Sequence, residues 1–182
     1  MKLALISGSL RAGSTNTIVI RTVSELVGDW ASPLTYLDLA ELPHFNPDDD
    51  FEPLHPEVAR LRELIAEADA ILFCTPEYAG GLPGSFKNLL DWTVGGSETT
   101  DKPVGWINIS SSPTRAEGAH RSLRTVLEYT GAKVVESACV HIPVPRTAID
   151  AEAGTVTDPV VREALSATAR ALADHATEAA GR

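Results

Sequence analysis

Two runs of nearly unbroken apolar residues constrain this chain more than anything else in it: Lys2–Ser7 (KLALIS) and Ala70–Thr75 (AILFCT). Each has the length of one strand, neither alternates with polar residues, and each stops at a breaker, Gly8 after the first and Pro76 after the second. A strand without a polar face must be covered on both sides, which is the situation of parallel sheets sandwiched between helices. The cover is written between the runs. Thr15–Val27 sets Ile18, Val19, Thr22, Val23, Leu26 and Val27 on one helical stripe, and Glu57–Ala68 does the same with Val58, Leu61, Leu64 and Ile65.

The alternation continues to the end of the chain. Strands are predicted at Leu34–Leu37, Val104–Ile109 and Lys133–Ile142, and helices at Ser85–Val94, Gly118–Tyr129 (closed by Gly131) and Val160–His175, with the last residues fraying. Five strands alternating with helices imply an open parallel sheet with right-handed crossovers, a doubly wound α/β/α sandwich in three layers. The flavodoxin-like strand order 2-1-3-4-5 accommodates them. No repeat or linker interrupts the 182 residues, so residues 1–182 are expected to form one domain. Ala40–Pro56 holds four prolines and the run Asp48-Asp49-Asp50, and reads as a long polar loop with a solvated acidic turn.

Several function classes are disfavoured at this level. Net charge is −10, from 25 acids against 15 bases, and no basic stripe is present, which argues against nucleic acid as a partner. No apolar run nears the roughly 20 residues of a membrane span, and MKLALISGS meets a glycine loop too early for a signal peptide. Cys74 and Cys139 lie in apolar runs without C-x-x-C spacing and read as buried thiols of a reducing cytoplasm. The five histidines show no H-x-x-H or H-E-x-x-H spacing, so no metal site is expected. G-x-S-x-G is missing, and with it the nucleophile elbow of a serine hydrolase.

Two loops carry the chemistry. In the 2-1-3-4-5 order, the loops leaving strands one and three flank the switch point where ligands bind. The first reads GSLRAGSTN. It spaces Gly8 and Gly13 as a triphosphate loop does, but has Ser14 where that loop has its lysine. Ser9, Ser14, Thr15 and Asn16 offer neutral donors, Arg11 is the single cation, and the next helix adds its positive end. That set suits one terminal monophosphate better than a triphosphate with Mg²⁺. The competing reading is a plain turn with Ser14 as helix cap. The second loop, TPEYAGGLPGSFKNLLDW, is rich in Gly and Pro and exposes backbone donors and acceptors beside Tyr78. It can read the edge of a heteroaromatic ring.

Together, GSLRxGSxN and PEYxxxxPGxxKNxxDW resemble the NADPH-dependent FMN reductase family, which includes quinone, chromate and azo-compound reductases. The resemblance implies that Ser9, Arg11, Ser14, Thr15 and Asn16 hold the FMN phosphate, and that Pro76, Glu77, Tyr78, Ala79 and Gly80 cradle the ring. Ser110 and Ser111, after the fourth strand, would reach its pyrimidine edge. It also implies a homodimer or homotetramer. Asp91 and Trp92 read as helix packing or subunit contact as readily as chemistry, and Glu77 as an anchor of its loop or a subunit contact rather than a general acid. Two departures stand out. The family usually has asparagine where this chain has Ala79, and a glycine pair before an arginine where this chain reads SSSPTRAEGAHRSLR.

The implied activity is hydride transfer from NADPH or NADH through flavin N5 to a small-molecule acceptor of quinone, azo or metal-oxyanion type, in a ping-pong cycle. Nicotinamide C4 would stand roughly 3–3.5 Å from N5, and no side-chain acid or base is required because the cofactor carries the chemistry. The main alternative is a flavodoxin-type FMN electron carrier without nicotinamide turnover. A catalytically silent flavin-fold interaction protein is the third reading.

Overall fold

The structure, a computed structural model, describes residues 1–11 and 13–181; Ala12 of the first loop and Arg182 lie outside them. Five parallel strands form the sheet: β1 (Lys2–Ser7), β2 (Ser32–Tyr36), β3 (Ala70–Cys74), β4 (Pro103–Asn108) and β5 (Lys133–His141), in the order 2-1-3-4-5. The helices are α1 (Thr15–Val27), α2 (Pro56–Glu67), α3 (Gly84–Asp91), α4 (Glu117–Tyr129) and α5 (Pro159–Ala180).

The period of two along each strand divides the core into two halves. Leu3 and Leu5 of β1, with Ala70, Leu72 and Cys74 of β3, pack against α1 and α5. Ala4 and Ile6, with Ile71 and Phe73, face α2, α3 and α4. All these positions are buried, which is why the strands read as continuous apolar runs. Because β1 pairs with β2 on one side and β3 on the other, the loops leaving β1 and β3 part above the sheet and open a crevice.

Several expectations need correction. The second strand begins at Ser32 rather than Leu34, because its register pairs Ser32 with Lys2 across β1. The last helix does not end at His175. It runs to Ala180, held by Leu172, Ala173 and Ala176 in the core and started by Asp158, whose Oδ1 accepts from the N–H groups of Val160 and Val161 at 2.9 and 3.0 Å. A small antiparallel pair, β6 (Ile149–Asp150) with β7 (Thr155–Val156), was not expected at all; Val156 N–H donates to Thr22 Oγ1 of α1 at 2.9 Å. Cys139 is only half-buried, unlike Cys74.

The 40–56 segment is less solvated than its composition suggests. Asp50 is withdrawn from the acidic turn into an ion pair with Arg62 of α2, at 2.7 Å, with side chains 9% and 12% exposed. Arg62 Nε also donates to the carbonyl of Trp92 at 2.8 Å. The Pro43 carbonyl accepts from Asn88 Nδ2 and Trp92 Nε1, each at 2.8 Å, and Phe45 N–H donates to Asn88 Oδ1 at 2.7 Å. Trp92 is therefore buried in its own chain, 1% exposed and edge-on to Phe45, and offers no subunit surface. The K-N-x-x-D-W motif at the end of α3 is in part a clasp for this loop.

Candidate functional site

Three loops at the carboxyl ends of β1, β3 and β4 enclose a cleft of about 430 Å³, within the roughly 300–1,000 Å³ of small-molecule sites. The first loop is tied down at its root, where Gly8 N–H donates to the Cys74 carbonyl at 2.9 Å. There Gly8 leaves room for a neighbour: a Cβ would come 2.3 Å from Thr75 Oγ1 and 2.9 Å from the Phe86 ring. Ser14 N–H donates to the Arg11 carbonyl at 3.1 Å, and Gly13 takes a left-handed φ of 64°. Ser14 Oγ caps α1 by accepting from Asn16 N–H at 3.2 Å. The capping and ligand-binding readings of Ser14 are thus compatible, since the hydroxyl can still donate its proton.

Asn16 is oriented from below. Its Oδ1 accepts from the buried Cys74 thiol at 3.3 Å. Burial pushes that thiol's pKa far up and keeps the S–H bond intact. With Oδ1 engaged, the Asn16 amide group is left to donate toward the cleft. Ser9, Ser14 and Asn16 are buried while Arg11 is exposed, so neutral donors form the floor and the cation stands at the mouth.

The second loop turns back at Ala79-Gly80, with φ of 50° and 77°. Tyr78 and Gly81 exchange both N–H···O=C bonds at 3.0 Å, the pattern of a type I′ turn. Glu77 Oε2 accepts from Ala119 N–H at 3.1 Å, so this carboxylate caps the start of α4 and fastens the second loop to the third. Gly118 makes that junction possible, because a Cβ there would lie 2.2 Å from the Gly80 carbonyl oxygen. In the third loop, Asn108 Nδ2 donates to the Arg115 carbonyl at 2.9 Å and Oδ1 accepts from Ser110 N–H at 3.0 Å. Ser110 Oγ lies 2.6 Å from Asn108 Oδ1 and 2.7 Å from the Ser112 carbonyl, so its proton is used within the loop. Ala116, φ 65°, then enters α4 in the left-handed conformation.

The profile of the family described as NADPH-dependent FMN reductase matches residues 1–145. The chain belongs to this family. It is similar to an NAD(P)H-dependent FMN reductase of Pseudomonas aeruginosa, 32% identical over 174 residues covering 94% of this chain and 93% of the relative. A 2-hydroxy-1,4-benzoquinone reductase of a Burkholderia species is 32% identical over 162 residues, covering 87% of each. Among solved structures, the flavoenzyme NAD(P)H:(acceptor) oxidoreductase FerB of Paracoccus denitrificans superposes with a TM-score of 0.83 at 29% identity over 97% of both chains. The chain is an oxidoreductase of flavodoxin-like fold.

Of the positions that the family resemblance singles out, Ser9, Arg11, Ser14, Thr15, Asn16, Pro76, Glu77, Tyr78 and Ser110 line the cleft. Ala79 and Gly80 form the turn behind Tyr78, and Ser111 lies on an exposed bend outside the cleft lining. Sequence reasoning overlooked Thr75, Asn108, Ile109, Arg115, Ala116 and Val144. Asn108 had a signal, an amide closing an otherwise apolar strand. Val144 had none, since it reaches the cleft from beyond β5.

The two departures from the reductase family fall at strained positions. Asparagine is the favoured first central residue of a type I′ turn, and alanine in left-handed backbone costs about 1 kcal/mol or more. Ala79 and Ala116 both carry that cost. Ala79→Asn and Ala116→Gly should each raise stability by about 0.5–1 kcal/mol, seen as a higher urea midpoint. A lowered midpoint in either variant would contradict the left-handed assignment.

Proposed function

We propose that this chain, as one domain, binds FMN in the three-loop cleft and passes hydride from a reduced nicotinamide through it to a small quinone-type acceptor in a ping-pong cycle. The residues fit the cofactor. Neutral donors at Ser9, Ser14, Thr15 and Asn16, the end of α1 and the Arg11 guanidinium form a cradle for one phosphate, without the lysine of a triphosphate site. Pro76, Glu77 and Tyr78 form the wall for the ring. FMN, when bound, supplies the hydride-accepting N5.

The protein's part is positional. Glu77 spends its carboxylate on Ala119 N–H and holds two loops at a fixed separation. Asn108 keeps the third loop folded against its own backbone. Tyr78, 56% exposed at the cleft mouth, is free to lie against a second planar ligand. No side chain lining the cleft needs to act as acid or base, which supports a broad acceptor range. Relatives described as quinone reductases favour quinones among the acceptor classes. A reducing cytoplasmic setting and a homodimer or homotetramer complete the proposal.

The observation that carries this reading is the coincidence of the phosphate-type cradle and the ring-sized wall in one cleft. FMN-loaded protein should oxidise NADPH with a water-soluble quinone. Arg11→Ala should weaken FMN binding by about ten- to a hundredfold, the worth of a charge-assisted phosphate contact. It should leave riboflavin binding unchanged. An unaltered FMN dissociation constant would remove the phosphate assignment.

A further inference from the structure

Two arginines line the cleft, and their surroundings differ. Arg11 stands over the buried donors of the first loop. Arg115 rises from the third loop, on the far side of the second, where Asn108 and Ser110 spend their side-chain donors within the loop. Its main chain is fixed three ways. Arg115 N–H donates to the Ser112 carbonyl at 3.0 Å, its carbonyl accepts from Asn108 Nδ2 at 2.9 Å, and Ala116 follows in left-handed backbone. Its side chain is exposed and, among the described residues, takes part in no ion pair or hydrogen bond.

A guanidinium on a fixed base and without an internal partner is available to an incoming anion. The cleft needs such a contact. The chain carries net charge −10, so a polyanionic ligand approaches against the long-range field. Glu77 is the only carboxylate lining the cleft among the described residues, and it is already engaged by Ala119 N–H. One bound cofactor phosphate uses Arg11. A dinucleotide arriving second brings a pyrophosphate, and NADPH a further 2′-phosphate.

We propose that Arg115 binds a phosphate group of the incoming pyridine dinucleotide and so determines how well the enzyme uses it, a division of labour in which Arg11 serves the cofactor and Arg115 the reductant. The proposal rests on the reading of the cleft as a site for FMN and nicotinamide together.

The test uses FMN-loaded protein with a neutral quinone as acceptor, comparing wild type, Arg115→Ala, Arg115→Lys and Arg115→Glu. Arg115→Ala should raise KM for NADPH by about tenfold, with the loss in KM rather than kcat and the FMN dissociation constant unchanged. Arg115→Lys should recover part of the loss, and Arg115→Glu should deepen it at low salt. Calorimetric titration of NADP⁺ into the same loaded proteins should weaken by the same factor, without any turnover. A rise confined to NADPH assigns the 2′-phosphate, and an equal rise for NADH assigns the pyrophosphate; either supports the proposal. Unchanged KM for both nucleotides, a loss that appears in FMN affinity, or an effect seen only with a sulfonated quinone would overturn it. Wild-type protein that holds FMN but neither binds nor oxidises either nicotinamide would instead remove the reductase reading, before any variant is compared.

Discussion

Arg62→Ala should destabilise the protein by about 3–5 kcal/mol, the cost of leaving one member of a buried ion pair without its partner. Asp50 would be stranded, since its carboxylate is 9% exposed and Arg62 lies 2.7 Å away. The Trp92 carbonyl would lose its Nε donor as well. The damage should reach beyond the pair. A Cβ on Gly95 would overlap the Asp50 carboxylate, so the segment after α3 is fitted closely round it, and the 40–56 loop hangs on the same end of α3 through Asn88 and Trp92. Replacing both partners with apolar residues, Arg62→Met with Asp50→Leu, should recover most of the loss, because an apolar pair of similar volume avoids the desolvation penalty. Urea denaturation of the wild type and the two variants decides the matter; a double variant as unstable as Arg62→Ala would show that the charges themselves hold the loop.

Gly8→Val should cost about 3 kcal/mol by overpacking and should empty the cleft of its cofactor. The position cannot yield. Gly8 N–H is bonded to the Cys74 carbonyl, and its Cα faces Thr75 and Phe86, both buried. A side chain there must push the first and second loops apart at their common root, and those loops hold opposite ends of the proposed ligand. FMN affinity should therefore fall together with stability, unlike Arg11→Ala, where affinity falls alone. Preserved FMN binding in Gly8→Val would mean that the two loops grip independently.

The fold was legible because a buried parallel sheet leaves few alternatives: KLALIS and AILFCT are apolar on both faces, and both faces are covered. The start of α1 at Thr15 was legible for a similar reason, since Ser14 is a helix cap whatever else it binds. What escaped was set by tertiary pairing. Ile149–Asp150 and Thr155–Val156 are too short to show a period, and they exist because Thr22 of a distant helix accepts Val156 N–H. Asp50 looked solvated because its partner lies twelve residues away on α2. Trp92 read equally as helix packing or subunit contact because nothing local shows that its indole N–H ends on Pro43.

The candidate site divides along the same line. Side chains in the first loop could be named from residue type and spacing, whereas the third loop could not. Ser110 reads as a free donor in sequence, but its hydroxyl is turned into its own loop. The cation of that loop, Arg115, reaches the cleft through a left-handed turn at Ala116, a residue that carries no turn signal.

The most direct measurement is a titration of the purified chain with FMN under anaerobic conditions, followed by NADPH, watching the flavin absorbance bands. Stoichiometric binding, bleaching on addition of NADPH and recovery on addition of a quinone are the expected results. A chain that takes up no FMN would contradict the account at its root, and one whose bound flavin stays oxidised in NADPH would mark it as an electron carrier.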